Sequence, residues 1–323
     1  MTLWCWSRRL AALTSNEDRQ AIEELARLRP DRDTVLTVGV FDGVHLGHRQ
    51  LIEQVKRRAG ERGLKGGVVT LHHHPQKVLS PQSSLTYLTT LEQRIALIKG
   101  LDIDLVAVLP FTSALARLSA SEFVALLQKH LRMRSLVIGP DFALGRGRQG
   151  DAAALSALGQ EMGFTVEVLP PVMVGGQMVS STAIREALVR GDLATASRLL
   201  GRPYSLSGKV TPGDERGRQL GFPTANISVN SALTLPADGV YVTRAYIDGQ
   251  PHSSVSNIGV RPTFGESKRL IEVHLLDFCG DLYGRQLKIE MVERLRGELR
   301  FSSVDELVAQ IRRDVERARV VLG

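Results

Sequence analysis

Only two cysteines, Cys5 and Cys279, occur in the 323 residues, and neither stands at a metal-ligand spacing. That excludes a disulfide framework and a cysteine-based metal site, and it fits a reducing cytoplasm. Aromatic residues make up 5% of the chain and are not interleaved with the basic ones. The stacking platform of a single-stranded nucleic-acid binder is therefore missing. No run of about 18 apolar residues is present, so no membrane-spanning helix is expected. The opening Met1-Thr2-Leu3-Trp4-Cys5-Trp6-Ser7-Arg8-Arg9 places its charges after its apolar residues and lacks the apolar stretch of a secretory leader. The expected location is the cytoplasm. Internal repeats and low-complexity segments are absent as well.

What is present is a hydrophobic fraction of 43% in a length suited to two domains. The net charge of +7 favours anionic partners. The bases are scattered, however, with Arg57-Arg58 and Arg312-Arg313 as short pairs on helical segments, which reads as solvated helix faces. Small phosphorylated molecules are thus the expected partners, with no nucleic acid and no membrane. The sequence leaves oligomeric state open.

Up to about residue 200, apolar runs alternate with amphipathic stretches. Val35–Phe41, Gly67–Leu71, Leu105–Leu109, Leu136–Gly139 and Thr165–Leu169 read as buried strands, with helices near 48–60, 91–99, 121–131 and 152–162. This alternation predicts an α/β unit with a parallel sheet over residues 33–200. The loops after Phe41, Leu71, Leu109 and Gly139 should then line one cleft at the carboxyl ends of the strands. Residues 1–32 form an N-terminal extension, expected to be helical from Arg19 to Leu28. Beyond Gly201-Arg202-Pro203 the pattern changes to short strands separated by turn residues: Tyr241–Ile247, Ser253–Ile258, Leu270–Leu276 and Gln286–Glu293. A small antiparallel β-barrel over residues 203–323 is expected. A C-terminal helix closes it, opening on a capping box of Ser303 and Glu306. Its apolar stripe is Val304, Leu307, Val308, Ile311 and Val315.

Two segments carry chemistry. In the first, a strand runs into Phe41-Asp42-Gly43-Val44-His45-Leu46-Gly47-His48 and then a helix. His45 and His48, three apart at a helix start, face the same way and can donate to one phosphate chain beside a terminus that already favours anions. Gly47 lets backbone approach a nucleotide closely. The same pattern also fits two surface histidines capping a helix. A metal at His72-His73-His74-Pro75 is disfavoured, because consecutive side chains of an extended segment point in alternate directions. Farther on, Ser181 and Thr182 open another helix after Ser180, and Arg185 one turn later offers a fork of donors to the same phosphates. Gly139-Pro140-Asp141-Phe142-Ala143-Leu144-Gly145 ends a strand where a purine pocket could form.

In the second, Gly213-Asp214-Glu215-Arg216-Gly217-Arg218 precedes Gly221-Phe222-Pro223-Thr224-Ala225-Asn226. Glycines, arginines, a hydroxyl and an amide in one loop are the inventory for a nucleotide and its magnesium. Thr224 and Asn226 are hard oxygen donors two apart on an extended segment, so both reach one ion. The stretch from Gly213 to Gly221 could fold over phosphates, with Lys209, Arg216 or Arg218 nearby. Glu272 lies in Leu270-Ile271-Glu272-Val273-His274-Leu275, whose alternation puts Glu272 and His274 on one face. By pattern alone Glu272 also fits a solvent-facing carboxylate.

Taken together, Phe41 to His48, Asp141 to Gly145, Ser180 to Arg185 and Gly221 to Asn226 resemble the prokaryotic bifunctional riboflavin kinase/FAD synthetase family over roughly residues 35–320. The resemblance implies a Rossmann-like nucleotidyltransferase domain of the HxGH type that adenylylates FMN to FAD, followed by a riboflavin kinase barrel. It implies that Phe41, Asp42, Gly43, Gly47 and Asp141 line the nucleotide and flavin cleft. His45 and His48 would stabilise the ATP phosphates, Arg185 would neutralise departing pyrophosphate, and Ser181 and Thr182 would help hold it. Thr224 and Asn226 match the family's magnesium-binding Pro-Thr-Ala-Asn, which includes Pro223. Glu272 matches the base that takes the riboflavin 5′-hydroxyl proton. Riboflavin, FMN and ATP are then the substrates, with Mg2+ as cofactor. The resemblance departs at two places: Leu71-His72-His73-His74-Pro75 replaces Phe-x-Pro-His-Pro, and Leu144 replaces a phenylalanine, both expected in the first cleft. A kinase with a decayed nucleotidyltransferase domain is the alternative these departures motivate. A non-catalytic nucleotide- or RNA-binding protein is a more remote one.

Overall fold

The computed structural model describes residues 16–80, 82–213, 216–263 and 266–323. Cys5 and the opening segment lie outside the described residues, as do Asp214, Glu215 and the side chain of Arg216. The chain divides into two compact units, the first ending at Val179 and the second running from Ser180 to Gly323.

The first unit begins with α1 (Asn16–Arg27) and β1 (Thr34–Gly39), followed by α2 (Leu46–Arg62) and β2 (Lys65–Leu71). The short α3 (Pro75–Leu79), α4 (Leu91–Lys99), β3 (Leu105–Leu109), α5 (Ala120–Leu131) and β4 (Met133–Ile138) come next. α6 (Ala152–Met162), β5 (Thr165–Val168) and a hairpin of β6 (Met173–Val174) and β7 (Gln177–Met178) complete it. β1 to β5 form one parallel sheet in the order β3-β2-β1-β4-β5. Thr34 to Val38 are all buried, because helices cover both faces and the strand needs an apolar run rather than alternation. Helix starts are written locally: Thr90 with Gln93 and Ser119 with Glu122 make full capping boxes at α4 and α5. The strand order reverses between β1 and β4, so the loops leaving these two strands flank the crevice where ligands of such sheets bind.

The second unit opens with α7 (Ser181–Val189) and α8 (Leu193–Leu200). The compact division thus falls earlier than the boundary expected near Gly201. α8 packs against a barrel strand, and the Ala237 N–H donates to the Leu188 carbonyl of α7. Six strands follow: β8 (Ser205–Thr211), β9 (Ala225–Val229), β10 (Gly239–Ile247), β11 (Gln250–Thr263), β12 (Glu266–Leu275) and β13 (Gln286–Arg296). The short α9 (Arg216–Gln219) lies between β8 and β9, and α10 (Val304–Leu322) ends the chain. The strands close into an antiparallel barrel in the order β10-β11-β12-β9-β8-β13.

Register decides which side chains fill this barrel. Ile271 pairs with both Ile258 and Ile227, Ile227 pairs with Val210, and all four are buried inside. The alternate residues face outward, where α10 packs Val315 and Ala318 onto Val240, Val242 and Val255. Val304, expected in the apolar stripe of this helix, is instead 60% exposed, because α10 meets the barrel only from its second turn on. Ser303 caps the helix by accepting from the Glu306 N–H, but the Glu306 carboxylate accepts from Ser302 N–H at 3.0 Å rather than closing the box on Ser303.

Candidate active sites

In the first unit the chain leaves β1 through a tight left-handed turn. Phe41 has φ 55°, Gly43 81° and Val44 41°. Positive φ is costly for a β-branched residue, on the order of 1–3 kcal/mol. Buried Asp42 holds the turn in place: its carboxylate accepts the backbone N–H groups of Leu88 (2.9 Å) and Thr89 (3.2 Å), while the Thr89 hydroxyl accepts from Gly43 N–H at 3.1 Å. Asp42 therefore tethers the loop, a role the sequence reading did not anticipate.

The turn delivers His45 as the N-cap of α2, with Nδ1 accepting from the His48 N–H at 3.3 Å. The His45 and His48 rings stack with centroids 3.6 Å apart and planes 15° from parallel, and Phe41 lies 5.1 Å from the His48 ring. A Cβ on Gly47 would press against the His45 ring at 3.3 Å, so glycine preserves the stack. His48 Nδ1 is shut off from solvent without a hydrogen-bond partner. Burial, then the positive charges of His45 and Arg94, hold its imidazolium well below the ordinary histidine range. The site consequently presents a neutral His48 at the positive end of a helix, where an anion is favoured.

Across the crevice, Asp141 is exposed just after β4, its backbone carbonyl accepting from Arg148 Nη2 at 2.8 Å. Leu144, expected in the cleft, is buried in the core beside Ala120 and pairs with Gly150. It packs inward, which corrects that expectation. His72 and His73 also differ from the alternation expected of an extended run. β2 has ended at Leu71, and their rings stack at 4.1 Å, both exposed. His74 caps α3 by accepting from Gln76 N–H, and its own N–H donates to the Tyr87 hydroxyl. Arg94 sits beneath these loops, 1% exposed, donating to the Leu71 carbonyl at 2.8 Å. Ser181, Thr182 and Arg185 occupy the first turns of α7 in the other unit, where Ser180 is the N-cap accepting from Ala183 N–H at 3.2 Å.

The second unit carries its own cavity, about 690 Å³, on the outer face of the barrel. Three adjacent strands set a row across its floor. Asn226 of β9 pairs with Glu272 of β12, and Glu272 pairs with Asn257 of β11. Directly opposed residues share a face about 4.5–5.5 Å apart, and all three line the cavity. Thr224 and His274 line it too, with Gly217 and Phe222 of the glycine-rich loop. Glycine is required where that loop closes down: a Cβ at Gly213 would overlap the Asn226 amide, and one at Gly217 would strike the Phe222 carbonyl. Gly221 turns the loop with φ 85°. Lys209 and Arg218 lie outside the lining; Lys209 is exposed on the outer face opposite Ser228. The far wall is α10, where Asp314 receives Arg296 Nη2 at 2.8 Å and Gln310 Nε2 at 2.9 Å.

Sequence reasoning missed Asn257 and His274. The alternation of β12 already placed His274 beside Glu272, and the Ser256 to Thr263 segment resembles a family segment, but only the register of β11 and β12 sets Asn257 opposite Glu272. Among the described residues no group of three or more histidine, cysteine, aspartate or glutamate side chains is gathered for a metal. The Thr224 hydroxyl, the Asn226 amide oxygen and the Glu272 carboxylate are among the donors lining the cavity, a hard set that suits a divalent cation sharing its shell with phosphate and water.

Two family models cover the chain in succession. Residues 28–183 match the family model for FAD synthetase, and residues 200–322 match that for riboflavin kinase. The chain is 40% identical over 296 residues to the bifunctional riboflavin kinase/FMN adenylyltransferase of Escherichia coli (strain K12), covering 91% of this chain and 94% of that protein. The Pseudomonas fluorescens protein of the same name is 42% identical over 305 residues, covering 94% and 97%. Among solved structures, one described as a macrolide-efflux protein from Streptococcus pneumoniae superposes with a TM-score of 0.85 at 31% identity, covering 91% of this chain and 96% of that one. In the present chain, among the described residues, no helix is long and apolar enough to cross a membrane.

Proposed function

The chain belongs to the bifunctional riboflavin kinase/FMN adenylyltransferase family, and we propose that the helix start at His45 and His48 serves adenylylation and the cavity around Glu272 serves phosphorylation, with the residues described above. The enzyme phosphorylates riboflavin to FMN and adenylylates FMN to FAD, both with ATP. What supports the assignment of residues is that each unit holds a polar site on its own elements: the row Asn226–Glu272–Asn257 in one, the His45–His48 stack in the other.

In the kinase unit, Glu272 takes the proton of the riboflavin 5′-hydroxyl as its oxygen attacks the γ-phosphorus of ATP, and ADP leaves. Catalysis of this kind is positioning and charge stabilisation rather than covalent chemistry by the protein. Thr224 and Asn226 would hold Mg2+, which when bound neutralises charge on the transferring phosphoryl group. The loop from Gly213 to Gly221 covers the phosphates, and Arg216, Arg218 and Lys209 are the cations assigned to their neighbourhood.

In the adenylyltransferase unit an FMN phosphate oxygen attacks the α-phosphorus of ATP and pyrophosphate departs. Phe41, Asp42 and Gly43 shape the turn, Gly47 keeps the backbone close, and His45 and His48 donate to the phosphates. Neutral His48 still offers an N–H donor. The family pattern assigns Arg185, Ser181 and Thr182 to the pyrophosphate and Asp141 to the flavin and nucleotide cleft. The cytoplasm is the expected location.

The test is a chromatographic time course of the purified chain with riboflavin, ATP and Mg2+. FMN should rise and then yield to FAD. Glu272→Gln should abolish FMN formation while leaving adenylylation of supplied FMN intact, and His48→Ala should do the reverse. Loss of both activities from either change in a folded chain would overturn the two-site assignment.

A further inference from the structure

β9 and β12 pair at Ile227–Ile271, Asn226–Glu272 and Ala225–Val273, and there the ladder stops. The next position on β9 is Thr224, opposite His274 by register, and before it stands Pro223, which has no N–H to offer. An unzipped end would leave Thr224 on a swinging loop. His274 prevents this with its side chain. Its Nδ1 lies 2.8 Å from the Pro223 carbonyl, and because a carbonyl only accepts, Nδ1 carries the proton. The edge of Phe222 meets the same imidazole at 5.6 Å, 79° from coplanar. One ring thus grips the loop at two consecutive residues, immediately before Thr224.

We propose that His274 is a positioning residue of the kinase reaction: its imidazole extends the β9–β12 ladder past Ala225 and fixes the peptide plane on which Thr224 stands. The hydroxyl of Thr224 is thereby held on the same face as Asn226 and Glu272, so that the donors and the base keep one spacing. His274 itself makes no contact with the transferred group. The inference rests on the kinase reading of this cavity.

The test uses the full chain with His274→Leu and His274→Asn, since the amide nitrogen of asparagine occupies nearly the place of Nδ1 and restores a donor. Hydrogen exchange read by mass spectrometry should show faster exchange across residues 217–227 in the leucine variant and near-native exchange in the asparagine variant. The Mg2+ concentration giving half-maximal FMN formation should rise about three- to tenfold in the leucine variant, the loss of one net hydrogen bond. It should return toward the parent value with asparagine, while adenylylation of supplied FMN is unchanged in both. Native exchange and an unaltered Mg2+ requirement in His274→Leu would overturn the proposal, as would an asparagine variant as impaired as leucine. If the parent chain made no FMN with any divalent ion, the kinase reading would fall, and the exchange measurement would still decide whether His274 holds the loop.

Discussion

Gly213→Ala adds one methyl group, yet the structure predicts that it disables one activity and spares the other. Gly213 needs glycine for space, not for backbone conformation: it is not among the glycines with positive φ. An added Cβ would stand 2.8 Å from Asn226 Cγ and overlap the amide nitrogen outright. Asn226 is 9% exposed and anchored by its ladder pair with Glu272, so it cannot simply swing into solvent. Overpacking of this sort costs about 1–3 kcal/mol. If the strain is relieved by turning the amide away from the cavity, it appears as lost transition-state stabilisation, roughly 5- to 150-fold in rate at 1.36 kcal/mol per decade. The assay follows FMN formation from riboflavin and FAD formation from supplied FMN with the same preparation. The first rate should fall within that range and the second should stay within twofold. Gly60→Ala in α2 serves as the control, since nothing lies within 4 Å of its added methyl; it should leave both rates alone and stabilise the helix by about 0.5–1 kcal/mol. A Gly213→Ala enzyme with native kinase activity would refute the claim that the glycine-rich loop closes onto Asn226.

Two further outcomes follow from buried charge. His48 has its folded pKa depressed below its unfolded value, so below about pH 6.5 the unfolded chain binds a proton that the folded chain does not; its contribution to stability is complete above that pH and is lost as pH falls through and below it. Imidazole NMR should show His48 neutral at pH 6.5, and a midpoint at the ordinary value would contradict the burial described. Asp314→Ala strands Arg296 in the cavity wall, where side-chain exposures are 7% and 17%; it should cost about 3–5 kcal/mol in urea denaturation, whereas replacing both partners with Leu and Met should recover most of it.

The parallel sheet was legible because its strands are apolar runs alternating with amphipathic stretches; the structure adds that Thr90, Ser119 and Asp151 cap the helices that follow them. β8 and β9 were not read as strands. β8 is interrupted by Gly208, which is forced by the backbone of Ser228 across the ladder, and β9 is the polar Ala225–Val229 stretch of the motif. The sites divide along the same line. Residues chemically unusual for their place, such as His45, His48, Thr224 and Asn226, could be singled out one by one. The roles of Asn257 and of the tether made by Asp42 depend on partners 15 and 46 residues distant (Asn257 to Glu272, Asp42 to Leu88), which local sequence does not bring together. Leu144 was expected in the cleft only because it replaces a phenylalanine of the family pattern, and the core it packs into is not visible in that substitution.

The kinase cavity lies on the outside of a closed barrel, so β12 serves two masters residue by residue. Ile271 and Val273 hold the interior, while Glu272 and His274 between them face the cavity. Selection for a tougher fold and selection for a different substrate therefore act on interdigitated codons of a single strand. Each can proceed while its neighbour stands still. A one-residue insertion just ahead of Ile271, by contrast, would exchange the two sets at once and forfeit both.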